Sequence, residues 1–430
     1  DDSTVIFHCP EKYGQFADLV AGNMYCMPRH VLEPFFKKGA AAFQSAYGVD
    51  TPPAQIVTSG PFKVKQYVTG EKLVIEPNPY YYVVDKAGTR LPYLDEIVYS
   101  FVPDQDAELL RFQGGEADLL ENPRSVDYAT LQKGAKGYSV TDVGVSFNTN
   151  FLWFNLNMKH GTRTPYIAPY KYAWFNNQSF RQAISYALNR DAMIKNAFYG
   201  VGTPNWGPST AGNKRWHNST IPTYDYNPDK AKAALAALGM KDRNGDGVLE
   251  DSQGHTVEFS MQTNAENTMR KQMLTDVQAD LAAVGIKVTP QPIAFNELIS
   301  HAQSTFQYDT ILLGLTGGVP PDPSLGVNVW KSSGMTHFWH VNQAVPSTPW
   351  EAKIDKLMDE LAVSFDQTRR KAIWDEIQVT ISDQSVFVYL PSQKAFIAVR
   401  DGFGNIQPTP VPPRVTWDAR SIFVKKGGKS

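Results

Sequence analysis

The sequence has few cysteines, little net charge and no long apolar run, and each shortage narrows the classes of protein to which it can belong. Among its 430 residues no stretch approaches the roughly 18 consecutive apolar residues that a membrane-spanning helix needs. The formal net charge is −2, and the cations cluster only in the short tail at Lys425, Lys426 and Lys429. Nothing in this charge pattern favours nucleic acid as a partner.

The two cysteines, Cys9 and Cys26, allow at most one disulfide within the chain. Their short separation predicts a bridge in an oxidising compartment, and two buried free thiols are the alternative.

Motifs of enzymatic catalysis are also missing. The sequence contains no GxSxG nucleophile elbow, phosphate-binding loop or HExxH, and its carboxylates show no spacing typical of an acid and base pair. His337 and His340 are three residues apart, but no third ligand is suggested nearby, so we expect packed or surface histidines rather than a zinc site. The sequence therefore predicts no enzyme and no resident cofactor, with a calcium ion left open below.

What the sequence does contain is a strong α/β pattern. Its length predicts two or three domains. Apolar residues from 151 to 157 predict a buried strand that ends at Asn155 and Asn157, where the chain changes direction. Ser179 and Gln182 form a capping box that predicts a helix, and Asn189 predicts the start of the next one. Further on, predicted helices at 227–239, 268–284, 350–363 and 367–381 alternate with predicted strands at 257–261, 286–288, 308–315 and 386–390.

Several segments in order resemble the bacterial extracellular solute-binding proteins of the oligopeptide and dipeptide class, which is family 5 and part of ABC importers. The segments are FNLN (154–157), RQAISYALNRDAMI (181–194), YGVGTP (199–204), SGPFKVKQYVTGEKLVIEPNPYYY (59–82), LPYLDEIVYSFVPDQDAELLRFQGGEADLL (91–120), YNPDKAKAALAALGM (226–240) and VQADLAAVGIKV (277–288).

The resemblance implies an α/β fold like that of type II periplasmic binding proteins, with two lobes and a hinge. It divides the chain into a partial first lobe (1–154), a second α/β lobe (155–391) and a return segment of the first lobe (392–430). The family's usual N-terminal portion has no counterpart in this sequence, so we expect the first lobe to be incomplete.

The resemblance also implies a function. We expect a monomeric substrate-binding protein that captures an oligopeptide or similar extended solute in a cleft between the lobes and delivers it to an ABC transporter permease. The expected location is periplasmic or extracellular, with a membrane anchor in the absent N-terminal portion left open. An oligosaccharide-binding protein of the same fold, and an enzyme or sensor that reuses the fold, are the alternatives.

Loops that follow predicted strands supply the candidate ligand site. Gly318 and Asn264 resemble the positions at which dipeptide-binding members carry an amine-binding aspartate and a carboxylate-binding arginine, so a dipeptide is disfavoured. Neutral amides and backbone groups favour a longer peptide read through its backbone, or a neutral oligosaccharide stacked on Trp206, Trp330 or Trp339. The predicted ligand-binding residues are Asn148, Asn150, Asn264, Thr316, Gly317, Gly318 and Trp330.

One loop has the spacing of a calcium site. In DRNGDGVLED (242–251), Asp242, Asn244 and Asp246 alternate before Gly247, as in loops that wrap oxygen ligands around calcium. The twelfth position holds Gln253 instead of the usual glutamate, although Glu250 or Asp251 can bend in to replace it. The candidate metal ligands are therefore Asp242, Asn244, Asp246, the Val248 carbonyl and Glu250, and a hairpin without metal is the alternative.

Overall fold

The computed structural model describes residues 4–18, 24–48, 51–102, 104–319 and 321–425. The chain forms two compact units: a large unit of Asp1–Gly22 and Val145–Lys394, and a small unit of Asn23–Gly144 and Ala395–Ser430. The expected segments (1–154, 155–391, 392–430) differ from these units because the N-terminal residues and residues 145–154 belong to the large unit. There, the Gly14 amide donates a hydrogen bond to the Ala362 carbonyl at 2.7 Å.

The strands are β1 (Phe62–Val68), β2 (Lys72–Pro77), β3 (Ile97–Ser100), β4 (Leu119–Leu120), β5 (Tyr138–Val145), β6 (Thr149–Phe154), β7 (Gly202–Thr203), β8 (Glu258–Asn264), β9 (Lys287–Ile293), β10 (Thr310–Leu315), β11 (Phe387–Leu390), β12 (Ser392–Arg400), β13 (Phe403–Gly404) and β14 (Phe423–Val424).

The helices are α1 (Arg29–Lys37), α2 (Ala40–Gln44), α3 (Gln105–Gly114), α4 (Ser125–Lys133), α5 (Pro169–Phe175), α6 (Gln178–Ala187), α7 (Arg190–Phe198), α8 (Pro228–Ala237), α9 (Thr268–Ala282), α10 (Phe295–Ser300), α11 (Val327–Trp330), α12 (Pro349–Val363) and α13 (Gln367–Gln384). In the ranges that the structure describes, no helix is both long and apolar enough to cross a bilayer.

The large unit is built on a five-stranded sheet with the order β11-β6-β10-β8-β9. β8 pairs in parallel with β9 and β10, whereas β6 pairs antiparallel with β10 and β11. Every residue of β6 is buried, which explains its apolar run from Phe151 to Phe154, because helices cover both faces of such a sheet.

Helix α6 packs the face predicted from its periodicity against this sheet. Phe180, Ala183, Ile184, Ala187 and Leu188 are all buried in the main core of the large unit. The predicted N-cap of this helix is wrong. Asn177, not Ser179, caps the helix by accepting hydrogen bonds from the amides of Ser179 and Phe180. An asparagine at this position supplies the same acceptor oxygen.

Two buried arginines connect helices α6 and α7 to the rest of the large unit. The Arg190 guanidinium donates to the backbone carbonyls of Tyr389, Ser185 and Tyr224, and to the Ser185 hydroxyl. Arg181 donates to the carbonyls of Phe175 and Gln384. Because these arginines satisfy buried backbone acceptors, their role is structural.

The small unit contains a three-stranded antiparallel sheet, β1-β2-β3, and a sheet in which β12 lies between β4 and β5. The hairpin predicted at Thr69 and Gly70 joins β1 to β2, and Gly70 has a φ of 74°, which glycine adopts readily. Two separate apolar clusters pack within this unit. One consists of Phe112, Leu120, Leu131, Tyr138 and Ala398, and the other of Ile397, Val399, Val415 and Ile422.

The predicted disulfide is wrong, because Cys9 and Cys26 are both free. Both thiols are exposed, so the alternative of buried thiols is wrong as well.

Candidate functional site

A cavity of about 310 Å³ lies in the large unit, at the end of the sheet where β10 leaves it. Its lining combines apolar rings with small polar residues and with the loop that follows β10. The lining residues include Phe147, Thr149, Ser209, Trp216, Thr316, Gly317, Gly318, Asp322, Leu325, Trp330, Trp374 and Tyr389. Loops beyond the carboxyl ends of parallel strands are where open α/β sheets usually bind ligands.

The loop after β10 is held close to the chain that enters β6. The Gly317 amide donates a hydrogen bond to the Asn148 Oδ1 at 3.0 Å. A Cβ atom at Gly317 would lie 2.3 Å from the Cβ of Phe147, so only glycine fits here. Asn148 therefore positions the loop backbone beside the cavity.

Tryptophan rings form one wall of the cavity. The rings of Trp330 and Trp374 meet edge to face with their centroids 5.6 Å apart, and the Trp374 indole donates to the Ser209 hydroxyl at 2.9 Å. A Cβ atom at Gly326 would lie 2.6 Å from the Trp330 Nε1, so this glycine packs under the indole. Trp330 is consequently only 7% exposed.

A buried ion pair between Asp322 and Arg370 fixes the far end of the loop that follows β10. Arg370 Nη2 lies 2.8 and 2.7 Å from the two carboxylate oxygens of Asp322, and Arg370 Nη1 donates to the carbonyls of Leu361 and Ser364. Asp322 also accepts a hydrogen bond from the Ser324 amide and so caps the short 3-10 helix Pro323–Gly326. Sequence reasoning missed this pair, although Asp322 followed by Pro323 is a typical helix start.

A second arginine joins two of the predicted site residues away from the cavity. Arg270 donates from Nη1 to the Asn264 Oδ1 at 3.1 Å and from Nε to the Asn150 Oδ1 at 3.3 Å. Burial lowers the pKa of Arg270, and no carboxylate in the described part of the chain pairs with it. Sequence reasoning missed Arg270, although a cation in the first turn of a helix is unusual enough to serve as a signal.

The structure thus brings together only some of the predicted ligand-binding residues. Thr316, Gly317, Gly318 and Trp330 line one cavity. Asn148 holds the cavity loop from behind, whereas Asn150 and Asn264 are buried partners of Arg270. Asn264 is the last residue of β8 and not, as predicted, part of the loop after it.

The other two tryptophans considered for stacking are less available to a ligand. Trp339 is buried in the main core, where its indole donates to Glu351. Trp206 is partly buried, and the guanidinium carbon of Arg190 lies 5.7 Å from its ring centroid.

Among the described residues, one group of carboxylates has the geometry to hold a metal ion. Oxygen atoms of Asp242, Asp246 and Glu250 lie within 4.8 Å of one another, in the loop predicted for calcium.

These features define a binding unit in which an α/β sheet presents a backbone loop and an aromatic wall. A family model described as bacterial extracellular solute-binding proteins, family 5 Middle, matches residues 1–337. The chain belongs to this family, as the sequence resemblance predicted.

Named relatives are consistent with this family. A probable ABC transporter-binding protein of Deinococcus radiodurans is 32% identical over 419 residues, which cover 93% of this chain and 69% of the relative. The oligopeptide-binding protein AppA of Bacillus subtilis is 25% identical over 395 residues, which cover 90% of this chain and 65% of that protein. The chain therefore spans about two thirds of the length of these relatives.

Solved structures confirm the expected fold, that of type II periplasmic binding proteins. The structure of Bacillus subtilis AppA in complex with a nonapeptide matches with a TM-score of 0.70 and 23% identity, covering 97% of this chain and 75% of that one. The structure of MelB from Agrobacterium fabrum in complex with stachyose also has a TM-score of 0.70, with 20% identity, and covers 94% of this chain and 63% of that one.

Proposed function

We propose that this chain captures an oligopeptide, read mainly through its backbone, as the solute-binding component of an ABC importer. Membership of the extracellular solute-binding family supports the general role, and the names of the Deinococcus and Bacillus relatives support the transporter and the peptide. The observation that carries the peptide is the cavity of the large unit, whose lining offers backbone, hydroxyl and apolar surface but no uncompensated charge.

The charge balance of the cavity is the central step. Asp322 is the only charged residue among the described residues that line it, and Arg370 neutralises Asp322 by a buried ion pair. A ligand bound here gains little from charge pairing. Thr316, Gly317 and Gly318 have small side chains, so the backbone of the loop is accessible to the amide groups of a peptide.

A neutral oligosaccharide is the second candidate, because Trp330 and Trp374 line the cavity and one structural neighbour is a stachyose complex. The peptide is favoured because Trp330, which packs against Trp374 and Gly326, is only 7% exposed. A sugar that stacks on an aromatic face needs that face to be open.

The decisive test is calorimetric titration of the purified full chain with N-acetylated and free oligopeptides, and with stachyose, at low and high salt. We expect peptides to bind, stachyose to bind more weakly or not at all, and peptide affinity to change little with salt, because no exposed ion pair is screened. Affinity for stachyose without affinity for any peptide would overturn the proposal in favour of the sugar.

The variant Gly318→Asp sharpens this test by adding a negative charge to the cavity. We expect it to strengthen binding of peptides with a free amine relative to their N-acetylated forms. Ser219→Asp is the matched control, because Ser219 lies in an exposed turn of the same unit and does not line the cavity. Equal effects of the two substitutions would place the peptide elsewhere.

The remaining parts of the proposal follow from the family role. The chain acts outside the cytoplasmic membrane as a monomer, releases its solute unchanged and meets an ABC permease as its protein partner. Mass spectrometry of a peptide incubated with the chain tests the absence of chemistry, since a cleaved product would contradict it. Light scattering after gel filtration tests the monomer.

A further inference from the structure

The loop between α8 and β8 gathers three carboxylates around one point. Asp242, Asp246 and Glu250 each bring a carboxylate oxygen within 4.8 Å of the others. No ion pair in the described ranges joins any of the three to a lysine, arginine or histidine. The nearby Lys287 is paired instead with Glu258 at 2.9 Å.

Glu250 is the residue that separates this loop from an ordinary acidic turn. It is only 6% exposed. Its Oε2 accepts a hydrogen bond from the Arg243 amide at 2.8 Å, but its buried Oε1 has no partner among the described residues. A buried carboxylate oxygen without a partner is costly, so a native protein normally provides one.

The rest of the loop is already arranged around the same point. The carboxylate of Asp242 accepts hydrogen bonds from the amides of Gly245 and Gly247, and Asp246 accepts one from Val248. Gly247 has a φ of 86°, which suits the sharp turn that a calcium loop makes at its sixth position.

The end of the loop is tied to the core of the large unit. The Leu249 amide donates to the Gly285 carbonyl at 2.8 Å, and the Val257 amide donates to the Leu249 carbonyl at 2.7 Å. These bonds fix the backbone of Leu249, the residue before Glu250, to Gly285 and to Val257, which directly precedes β8. The carboxylate of Glu250 is therefore directed by fixed structure, whereas Gln253 at the twelfth position is exposed.

We propose that this loop binds one calcium ion through Asp242, Asn244, Asp246, the Val248 carbonyl and Glu250. All of these ligands are oxygens, which calcium prefers and which disfavour zinc. Glu250 at the ninth position takes the place of the missing twelfth-position glutamate. With one fewer bidentate carboxylate than an intracellular sensor, the site belongs with weak extracellular modules, for which Kd is on the order of 10⁻⁴–10⁻³ M.

The test uses the full chain after dialysis against a chelator. Calcium titrated by calorimetry should bind at one site per chain, and it should raise the melting temperature because it binds only the folded state. Glu250→Gln and Asp246→Asn should each weaken calcium binding by about tenfold or more, since ligand charge sets affinity. Asp229→Asn, an equal change of charge on the exposed first turn of α8, should bind calcium like the wild type.

Glu250→Gln also distinguishes a ligand from a structural carboxylate. Its amide oxygen can still accept the Arg243 hydrogen bond, and the buried charge is removed. The metal-free variant should therefore melt at or above the temperature of the metal-free wild type while losing the response to calcium.

Three results would overturn the proposal: no heat and no thermal shift at about 10 mM calcium, unchanged calcium affinity in both loop variants, or an equal thermal shift with magnesium. A metal-free Glu250→Gln that melts well below the wild type, with an unchanged calcium response, would also contradict it.

Discussion

Glu351 shows how one buried carboxylate is kept ionised inside the large unit. Its Oε1 accepts hydrogen bonds from the Trp339 indole at 3.0 Å and from the Gln343 amide at 2.9 Å, and the His337 Nε2 lies 3.4 Å away. Its Oε2 accepts a hydrogen bond from Thr348, the residue that caps α12. Burial opposes ionisation, but the hydrogen bonds outweigh it and lower the pKa of Glu351 from 4.5 to about 2. Of the histidine pair His337 and His340, His337 thus belongs to a network of hydrogen bonds.

This lowered pKa predicts a pH-dependent contribution to stability. Because the folded state binds the proton less tightly than the unfolded state, the contribution is present above pH 4.5 and is lost as the pH falls towards about 2. The destabilisation caused by Glu351→Gln should therefore shrink by about 3 kcal/mol across that interval.

Urea unfolding at several pH values between 2 and 7 measures this change. Glu297→Gln, on the exposed side of α10, is the control and should show no comparable pH dependence. A cost of Glu351→Gln that is the same at every pH would mean that the ionised form has no special stabilisation.

At the scale of elements, the position of the cavity loop depends on a contact between a short 3-10 helix and α13. Asp322 and Arg370 join the 3-10 helix Pro323–Gly326 to α13, and both side chains are almost fully buried. Removing one partner leaves the other charge buried, which typically costs about 3–5 kcal/mol. Removing both leaves no stranded charge.

We therefore expect Asp322→Leu and Arg370→Met each to destabilise the chain strongly, and the double variant to lose less than the sum of the two. Equilibrium unfolding of all four proteins gives the coupling energy. The neighbouring exposed pair of Arg369 and Glu360 is the matched control, for which the same cycle should give under about 1 kcal/mol. Additive effects in the buried pair would contradict its assigned role.

Elements with a clear period were predictable, and side-chain partners were not. The stripe of Met273, Val277, Leu281 and Val284 is buried as its spacing predicts, because only a helix brings those positions to one face. Arg270, in the same segment, gave no periodic signal. Its partners Asn150 and Asn264 lie on strands far apart in sequence, and only the order of strands in the sheet brings them together.

The same limit applies to the candidate site. Thr316 to Gly318 could be predicted because a loop after a buried strand tends to lie at a ligand site. Phe147, Trp374 and Tyr389 could not, because they reach the cavity from three other segments of the chain. The disulfide failed for a similar reason, since a short separation along the chain sets no distance between two exposed side chains.

At the scale of the whole molecule, each unit has a core of its own. The main cluster of the large unit contains Phe154, whose ring packs against Phe175 with centroids 4.8 Å apart. One of the two clusters of the small unit contains Phe112, which meets Tyr138 edge to face with ring centroids 5.0 Å apart. Within the described residues these clusters share no member, so each core stabilises its own unit.

Two matched truncations test this division. Phe154→Ala and Phe112→Ala each remove a fully buried ring, at a cost of about 3–5 kcal/mol. Hydrogen exchange followed by mass spectrometry should show that Phe154→Ala lowers protection in β6, β8 and β10 and leaves α3 and β5 nearly unchanged, because local opening follows the core that was weakened. Phe112→Ala should give the opposite pattern. Equal loss of protection in both units from either truncation would show that the chain unfolds as one cooperative body, and a ligand of the large-unit cavity would then stabilise both units equally instead of protecting its own unit first.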